Sequence, residues 1–235
     1  MTDANALIEK YKLAPVPQNV SRLSVLLQGR FASNAVEIAQ IIKDDPLLSA
    51  RLIRIATNPK RRDEEPMEIE AAVMRLGVGS ILVLVMGELL INAVLRAFST
   101  MLGVALEPLD SEGRELKQFV GKIQFAGKAN GHVFLRIPVS VGPWFVTHAL
   151  GQEYAATAEE LVPDVVGEML NIVCGNFKSN LCDAGLTCKL FPPTVQVSEG
   201  FELEWSEEEK KQRIGMTTEG LPFFCDLVIT PIATT

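Results

Sequence analysis

Apolar residues recur at helical spacing along the first third of this chain. Their separations of three and four positions are the period of an amphipathic helix. Four segments show this pattern, at residues 19–27, 36–42, 47–55 and 67–76. Asp45-Pro46 is typical of a helix start and Gly77 of a helix end, because proline is tolerated in the first turn and glycine is favoured after the last. The pattern predicts an all-helical N-terminal unit, followed by a long apolar helix that opens near Ser80.

Beyond residue 103 the pattern changes to short alternating segments, which are typical of strands. A turn at Lys128-Ala129-Asn130-Gly131 separates two of them, at 120–126 and 131–137, and its Asn-Gly pair is a strong hairpin signal. Further strands are predicted at 186–190, 194–197, 213–217 and 223–229, and helices at 143–150 and 158–181. The predicted class is α+β: an N-terminal all-helical unit, then two long helices packed on a mostly antiparallel β-sheet.

The chain is predicted to contain two units, a helical module at 1–86 and an α+β domain at 87–235. Residues 81–102 hold no proline and no polar linker between the two patterns. A rigid joint through one shared helix is therefore expected rather than a flexible tether. The alternative is a single α+β domain with a helical prefix.

The segment DVVGEMLNIVCGNFK, at 164–178, has an unusual polar side. Its apolar face is ordinary core and consists of Val165, Val166, Met169, Leu170, Val173 and Phe177. The opposite face carries Asp164, Glu168, Asn171, Gly175 and Lys178, with Gly167 flanking it. Glycine and asparagine are poor helix formers, so this stripe suggests a surface that a partner approaches closely. A solvated helix side that tolerates two glycines is the alternative interpretation.

The spacing of Asp164, Glu168 and Asn171, continuing into Gly175-Asn176, resembles the active helix of the CheC/CheX/FliY phosphatases of bacterial chemotaxis. The resemblance extends to INAVLRAFSTMLG (91–103), GKIQFAGKANGHVFLRIP (121–138) and LFPP (190–193). It implies a CheX-like domain that hydrolyses the aspartyl phosphate of a CheY-like response regulator. The alternative function is a non-catalytic adaptor that binds signalling proteins.

The resemblance also implies roles for single residues. Asn171 would position the attacking water, and Glu168 would pair with the active-site lysine of the receiver domain. The remaining stripe residues, Asp164, Gly167, Gly175 and Lys178, would contact that partner. No cofactor is expected on this chain, because the Mg²⁺ ion of the reaction belongs to the phosphorylated receiver. A homodimer is the implied assembly.

Only one active motif is expected. Glu88 on the other long helix is followed by Ile91 where a second motif would have asparagine. The resemblance therefore implies that this half is inactive.

The helical unit has a resemblance of its own. LAPVPQNVSRLSVLL (13–27), IAQIIKDDPLLSARLIRIATN (38–58) and IEAAVMRLGVGSILVLV (69–85) resemble the first half of an HDOD domain, a catalytically silent relative of the HD phosphohydrolases. The unit looks truncated. The first histidine of the chain is His132, so the helical unit has none and cannot build the histidine-rich metal centre of HD enzymes. We expect a binding or regulatory module.

Composition narrows the function classes. A net charge of −7, with one short basic cluster at Lys60–Arg62, argues against a nucleic-acid partner. The longest apolar run, at 81–86, is far shorter than the roughly 20 residues of a membrane span. The first residues have no signal-peptide pattern. We expect a cytoplasmic protein that does not associate with a membrane and whose four cysteines are free thiols.

Overall fold

The structure is a computed structural model that describes residues 18–27, 31–56, 67–109, 117–200 and 209–230. Its helices are α1 (Gln18–Leu27), α2 (Phe31–Lys43), α3 (Pro46–Ala56), α4 (Ile69–Leu102), α5 (Gly142–Leu150) and α6 (Ala158–Asp183). Its strands are β1 (Glu107–Pro108), β2 (Lys117–Gly127), β3 (Asn130–Pro138), β4 (Cys188–Leu190), β5 (Thr194–Glu199), β6 (Lys210–Thr218) and β7 (Leu221–Thr230). Short 3-10 turns occupy Val139–Val141 and Gln152–Thr157.

The strands form one antiparallel sheet within the described residues, in the order β1-β6-β7-β3-β2-β4. β5 pairs with the other part of β2, so β4 and β5 together cover one edge of that strand. Helices α4 and α6 pack on one face of the sheet. The predicted α+β class is confirmed, and the predicted strands are present with ends that differ by at most three residues.

The β2–β3 hairpin differs from its prediction. Asn130 and Gly131 are the first residues of β3, and the turn itself is Lys128-Ala129. The Asn130 side chain accepts a hydrogen bond from the backbone of Gly127 at 3.0 Å and so closes the turn from the strand side. Gly131 has a packing role, because a Cβ there would lie 2.1 Å from the backbone oxygen of Val228. The turn predicted at 128–131 therefore contains the observed turn, and its last two residues belong to β3.

Helix α4 joins the helical N-terminal region to the sheet. It breaks at Gly77, whose φ of 70° and ψ of 175° lie outside the helical region and are accessible mainly to glycine. Beyond the break it continues to Leu102 without interruption. Helices α1, α2 and α3 pack on it from one side, and α6, β6 and β7 from the other. The expected shared helix is therefore present, while the predicted domain boundary at residue 86 falls inside it and stays a prediction.

The same helix holds the one stretch, among the described residues, that is long and apolar enough to cross a membrane. It runs from Gly79 to Leu102, with a mean hydropathy of 2.1 in its most apolar window. Of that window, 78% is buried inside the protein. Packing within the core accounts for the apolar character of this helix.

A buried ionic cluster lies in the middle of the sheet, on the face away from α4 and α6. Asp226 accepts a hydrogen bond from Arg136 Nε at 2.6 Å and another from Arg213 Nε at 3.0 Å. Arg136 also donates to Gln118 at 3.1 Å and lies over the ring of Phe224. The side chains of Arg136 and Asp226 are 3% and 1% exposed. One carboxylate therefore ties β3, β6 and β7 together, and Arg136 adds β2 through Gln118.

We expect Asp226→Asn to destabilise the protein by about 3–5 kcal/mol, because two guanidinium groups would lose their shared buried counter-ion. Urea unfolding at pH 7 measures the change. Asp183→Asn, at an exposed position at the end of α6, is the control and should stay within about 0.5 kcal/mol of wild type. A loss below about 1 kcal/mol for Asp226→Asn would contradict a structural role for the cluster.

Candidate functional site

The polar stripe predicted on the chain's last long helix lies on the outer side of α6. Asp164, Glu168 and Asn171 are exposed, and Gly175 and Lys178 are partly exposed. At about 100° per residue these five positions fall within roughly 80° of the helix circumference, so the structure brings them together on one face. The side chains of Glu168 and Asn171 have no hydrogen-bond or ion-pair partner within the part of the chain that the structure describes.

Gly167 does not share this exposure. It is buried, and a Cβ at this position would lie 3.6 Å from Val195 Cγ2 of β5. It occupies the edge of the stripe where α6 meets the sheet. The position at which a partner's backbone could approach the helix closely is Gly175, because a Cβ there would meet no atom within 4 Å.

The sheet supports α6 at a point of very close approach. Gly121 of β2 faces the helix, and a Cβ there would lie 3.0 Å from Leu170 and 3.3 Å from Val166. At the start of the helix, a Cβ at Gly142 would lie 2.9 Å from Val162. Both glycines bring neighbouring backbone against the apolar face of α6, so the helix is held firmly beneath its polar stripe. Sequence reasoning missed these contacts, because a glycine in a strand does not indicate what packs against it.

A side-chain hydrogen bond fixes α6 to α4. Asn180 donates from Nδ2 to the backbone oxygen of Leu89 at 3.0 Å. This bond ties the last turns of α6 to the middle of the shared helix. Asn180 was not predicted as a functional residue. The only hint in the sequence is that a polar residue stands near the apolar side of the helix.

The corresponding positions on α4 have a different environment. Glu88 and Ile91 are each 7% exposed. Glu88 forms an ion pair with Arg51 of α3, on the flank covered by the N-terminal helices. Burial raises the pKa of Glu88, and the neighbouring Arg51 guanidinium opposes that rise. The α4 surface around Glu88 is therefore an internal contact and is not open to a second protein.

The fold and the stripe define the class of the protein. It is an α+β sheet domain whose helix α6 exposes a Glu-x2-Asn face. A helical N-terminal segment precedes this domain and packs on its other long helix, α4. Residues 119–217 match the family model described as "Chemotaxis phosphatase CheX", and residues 13–109 match the model "HDOD domain". The chain therefore consists of an HDOD-like segment and a CheX-like domain. The HDOD match extends through α4 to residue 109, further along the chain than the resemblance seen in the sequence motifs.

Solved structures agree with this assignment of the fold. The chemotaxis protein CheX from Desulfovibrio desulfuricans is 18% identical, with a TM-score of 0.52, over 61% of this chain and 98% of the other. CheX from Vibrio vulnificus is 19% identical, with a TM-score of 0.52, over 61% and 95%. A CheC-like superfamily protein from Shewanella sp. PV-4 is 19% identical, with a TM-score of 0.53, over 62% and 97%. No curated protein is a significant match to the chain.

The raised pKa of Glu88 predicts a specific pH dependence of stability. The folded protein binds a proton at Glu88 more readily than the unfolded chain does, so this contribution is complete below the ordinary pKa of 4.5 and is lost as the pH rises through the raised value. Wild type should therefore lose stability relative to Glu88→Gln as the pH increases, by at most about 1.4 kcal/mol per pH unit. Urea unfolding of both proteins between about pH 4 and pH 8 measures the difference.

Glu160→Gln, at an exposed position of α6, controls for the loss of one negative charge. If wild type instead gained stability relative to Glu88→Gln with rising pH, the attraction of Arg51 would outweigh burial, and the pKa of Glu88 would lie below its ordinary value rather than above it.

Proposed function

We propose that this protein is a CheX-type phosphatase that hydrolyses the aspartyl phosphate of a CheY-like response regulator in chemotaxis or two-component signalling. The observation that carries the proposal is the exposed pair Glu168 and Asn171, one turn apart on a firmly packed helix, within the segment that matches the CheX family. A carboxylate and a carboxamide without partners in the described chain are available to a second protein.

Asn171 is assigned to the attacking water. Hydrolysis needs a water in line with the bond between phosphorus and the aspartyl oxygen; the new P–O bond forms as that bond breaks, which releases inorganic phosphate and the free carboxylate. A carboxamide can accept from the water with its oxygen and donate with its nitrogen, without titrating near pH 7. Orientation of this kind can supply several orders of magnitude in rate.

Glu168 is assigned to docking. One turn before Asn171, it would pair with the lysine of the receiver's active site and so set the helix over the phosphorylated aspartate. Asp164 and Lys178 extend the polar surface on either side. The Mg²⁺ ion and the acidic residues that bind it belong to the receiver in this proposal, and the chain contributes side chains alone.

The proposed assembly is a homodimer in the cytoplasm, paired through the sheets. β5 supports this arrangement, because its described hydrogen-bonding partner is β2 on one side only, and Val197 on this strand is 49% exposed. The described N-terminal helices pack on α4, whose own contacts with the sheet are to β6 and β7, away from the β5 edge.

We expect Asn171→Ala to remove most of the acceleration of receiver dephosphorylation, by about 100-fold, while binding of the phosphorylated receiver persists. Glu168→Ala should weaken binding by about tenfold or more, because a charge pair at the interface is lost. The measurements are the decay of a phosphorylated CheY-like receiver from the same organism with Mg²⁺, and its affinity by fluorescence anisotropy.

Asn176→Ala is the matched control, because this carboxamide lies on the same helix but about 140° from Asn171 around its axis, and it should leave the decay rate unchanged. If a receiver binds demonstrably yet loses phosphate no faster than it does alone, the chain is an adaptor and the stripe is only a docking surface.

The two glycines of α6 should respond differently to alanine. Gly167→Ala and Gly175→Ala should each stabilise the protein by up to about 1 kcal/mol, since alanine is the better helix former and neither Cβ meets a close contact. Gly175→Ala should nevertheless weaken receiver binding, because its methyl group projects from the docking face. Gly167→Ala, whose methyl group contacts Val195, should bind as wild type does. Equal affinities for the two variants would remove Gly175 from the interface.

A further inference from the structure

A cavity of about 410 Å³ lies at the joint between the N-terminal helices and the sheet. Its lining combines elements from both sides of that joint. The apolar part of the lining includes Ile55 of α3, Leu84, Ile91 and Leu95 of α4, and Ile214 and Met216 of β6. Cavities of roughly 300–1,000 Å³ at the junction of two units, mostly apolar with a few polar groups, are typical small-molecule sites.

The polar part of the lining is mainly cationic. Arg51 and Arg213 both line the cavity, and among the described residues the one acidic member of its lining is Glu107, which is exposed. The carboxylates that pair with the two arginines, Glu88 and Asp226, are outside the lining, with side chains 8% and 1% exposed. The guanidinium of Arg213 belongs to the ionic cluster with Asp226 on the face of the sheet away from α4, which leaves the guanidinium of Arg51 to face a ligand in the cavity.

Arg51 is the better candidate for a ligand contact. Its hydrogen bond to Glu88 uses Nη1, and a guanidinium has five N–H donors in a planar fork. Its side chain is 22% exposed, so part of it remains accessible from the cavity. Guanidinium groups recognise carboxylates with two parallel hydrogen bonds, which add geometric specificity to the charge interaction.

We propose that this cavity binds a small amphipathic carboxylate, with its hydrocarbon part against the leucine and isoleucine side chains of α3, α4 and β6 and its head group on Arg51. Such a ligand would contact the HDOD-like segment and the CheX-like domain at once. The site is separate from the polar stripe of α6 and does not depend on the proposed phosphatase activity.

The test uses octanoate as the probe, with 1-octanol and octylamine as neutral and cationic probes of the same chain length. Isothermal titration calorimetry of the full chain should show saturable binding of octanoate, at least about tenfold tighter than either comparison compound. Methyl NMR should locate the perturbed signals at Ile55, Leu84, Ile91 and Leu95. Octanol binding as tightly as octanoate would overturn the carboxylate assignment, and the absence of saturable binding by any probe would overturn the site.

Variants separate a specific site from general apolar adsorption. Ile55→Glu places a negative charge in the lining at a side chain that is already 46% exposed, and it should weaken octanoate binding by about tenfold or more. Val36→Glu, at another exposed apolar position of the N-terminal helices outside the cavity, is the matched control and should bind octanoate as wild type does. Equal binding by both variants would contradict the proposal.

A double variant tests the head-group contact. Arg51→Gln combined with Glu88→Gln removes the guanidinium without leaving a buried carboxylate unpaired. It should lose the preference for octanoate over octanol while it retains weak binding of octanol. A preserved preference would exclude Arg51 as the contact.

Discussion

The burial of the middle of α4 on all sides is the constraint on which the rest of the structure depends. Nearly every side chain from Ile81 to Ile91 is buried, so this part of the helix has no face for solvent. A helix that is apolar all round needs cover all round. The sheet and α6 provide it on one side, and α1, α2 and α3 on the other. The HDOD-like helices are therefore part of the packing of the CheX-like domain and not an appendage to it.

This packing explains why similar residues on the two long helices have different environments. Glu168 on α6 is exposed, whereas Glu88 on α4 is 7% exposed and paired with Arg51 of the chain itself. In the proposed function Glu168 requires a cation from a partner protein. At Glu88 an internal cation already occupies the corresponding place, and α3 covers the surface around it. The HDOD-like helices thus cover one long helix and leave the outer side of the other exposed.

Sequence reasoning predicted most of the fold, because helix and strand periodicity are local properties. It placed α6 and its polar stripe correctly, since the spacing of Asp164, Glu168 and Asn171 already determines which side of a helix they share. It did not predict that Gly167 packs on Val195, or that Arg51 pairs with Glu88 across 37 positions and Arg136 with Asp226 across 90. Those contacts depend on the tertiary packing of distant elements, which local sequence patterns do not encode.

The shared helix also gives the HDOD-like segment a physical route to the candidate site. The residues of α4 that line the cavity lie on the side of the helix roughly opposite Leu89, about 120–160° away around its axis, and the carbonyl oxygen of Leu89 accepts the hydrogen bond from Asn180 of α6. A shift of α4 along its axis would strain that bond or move α6 with it. Energetic coupling between two sites requires an element with two discrete arrangements. A helix has a single arrangement where neighbouring side chains fill all the space around it. Beside Leu84, Ile91 and Leu95 that space is an open cavity, which leaves α4 room for a second position. A ligand that fills the cavity would stabilise one of these positions over the other.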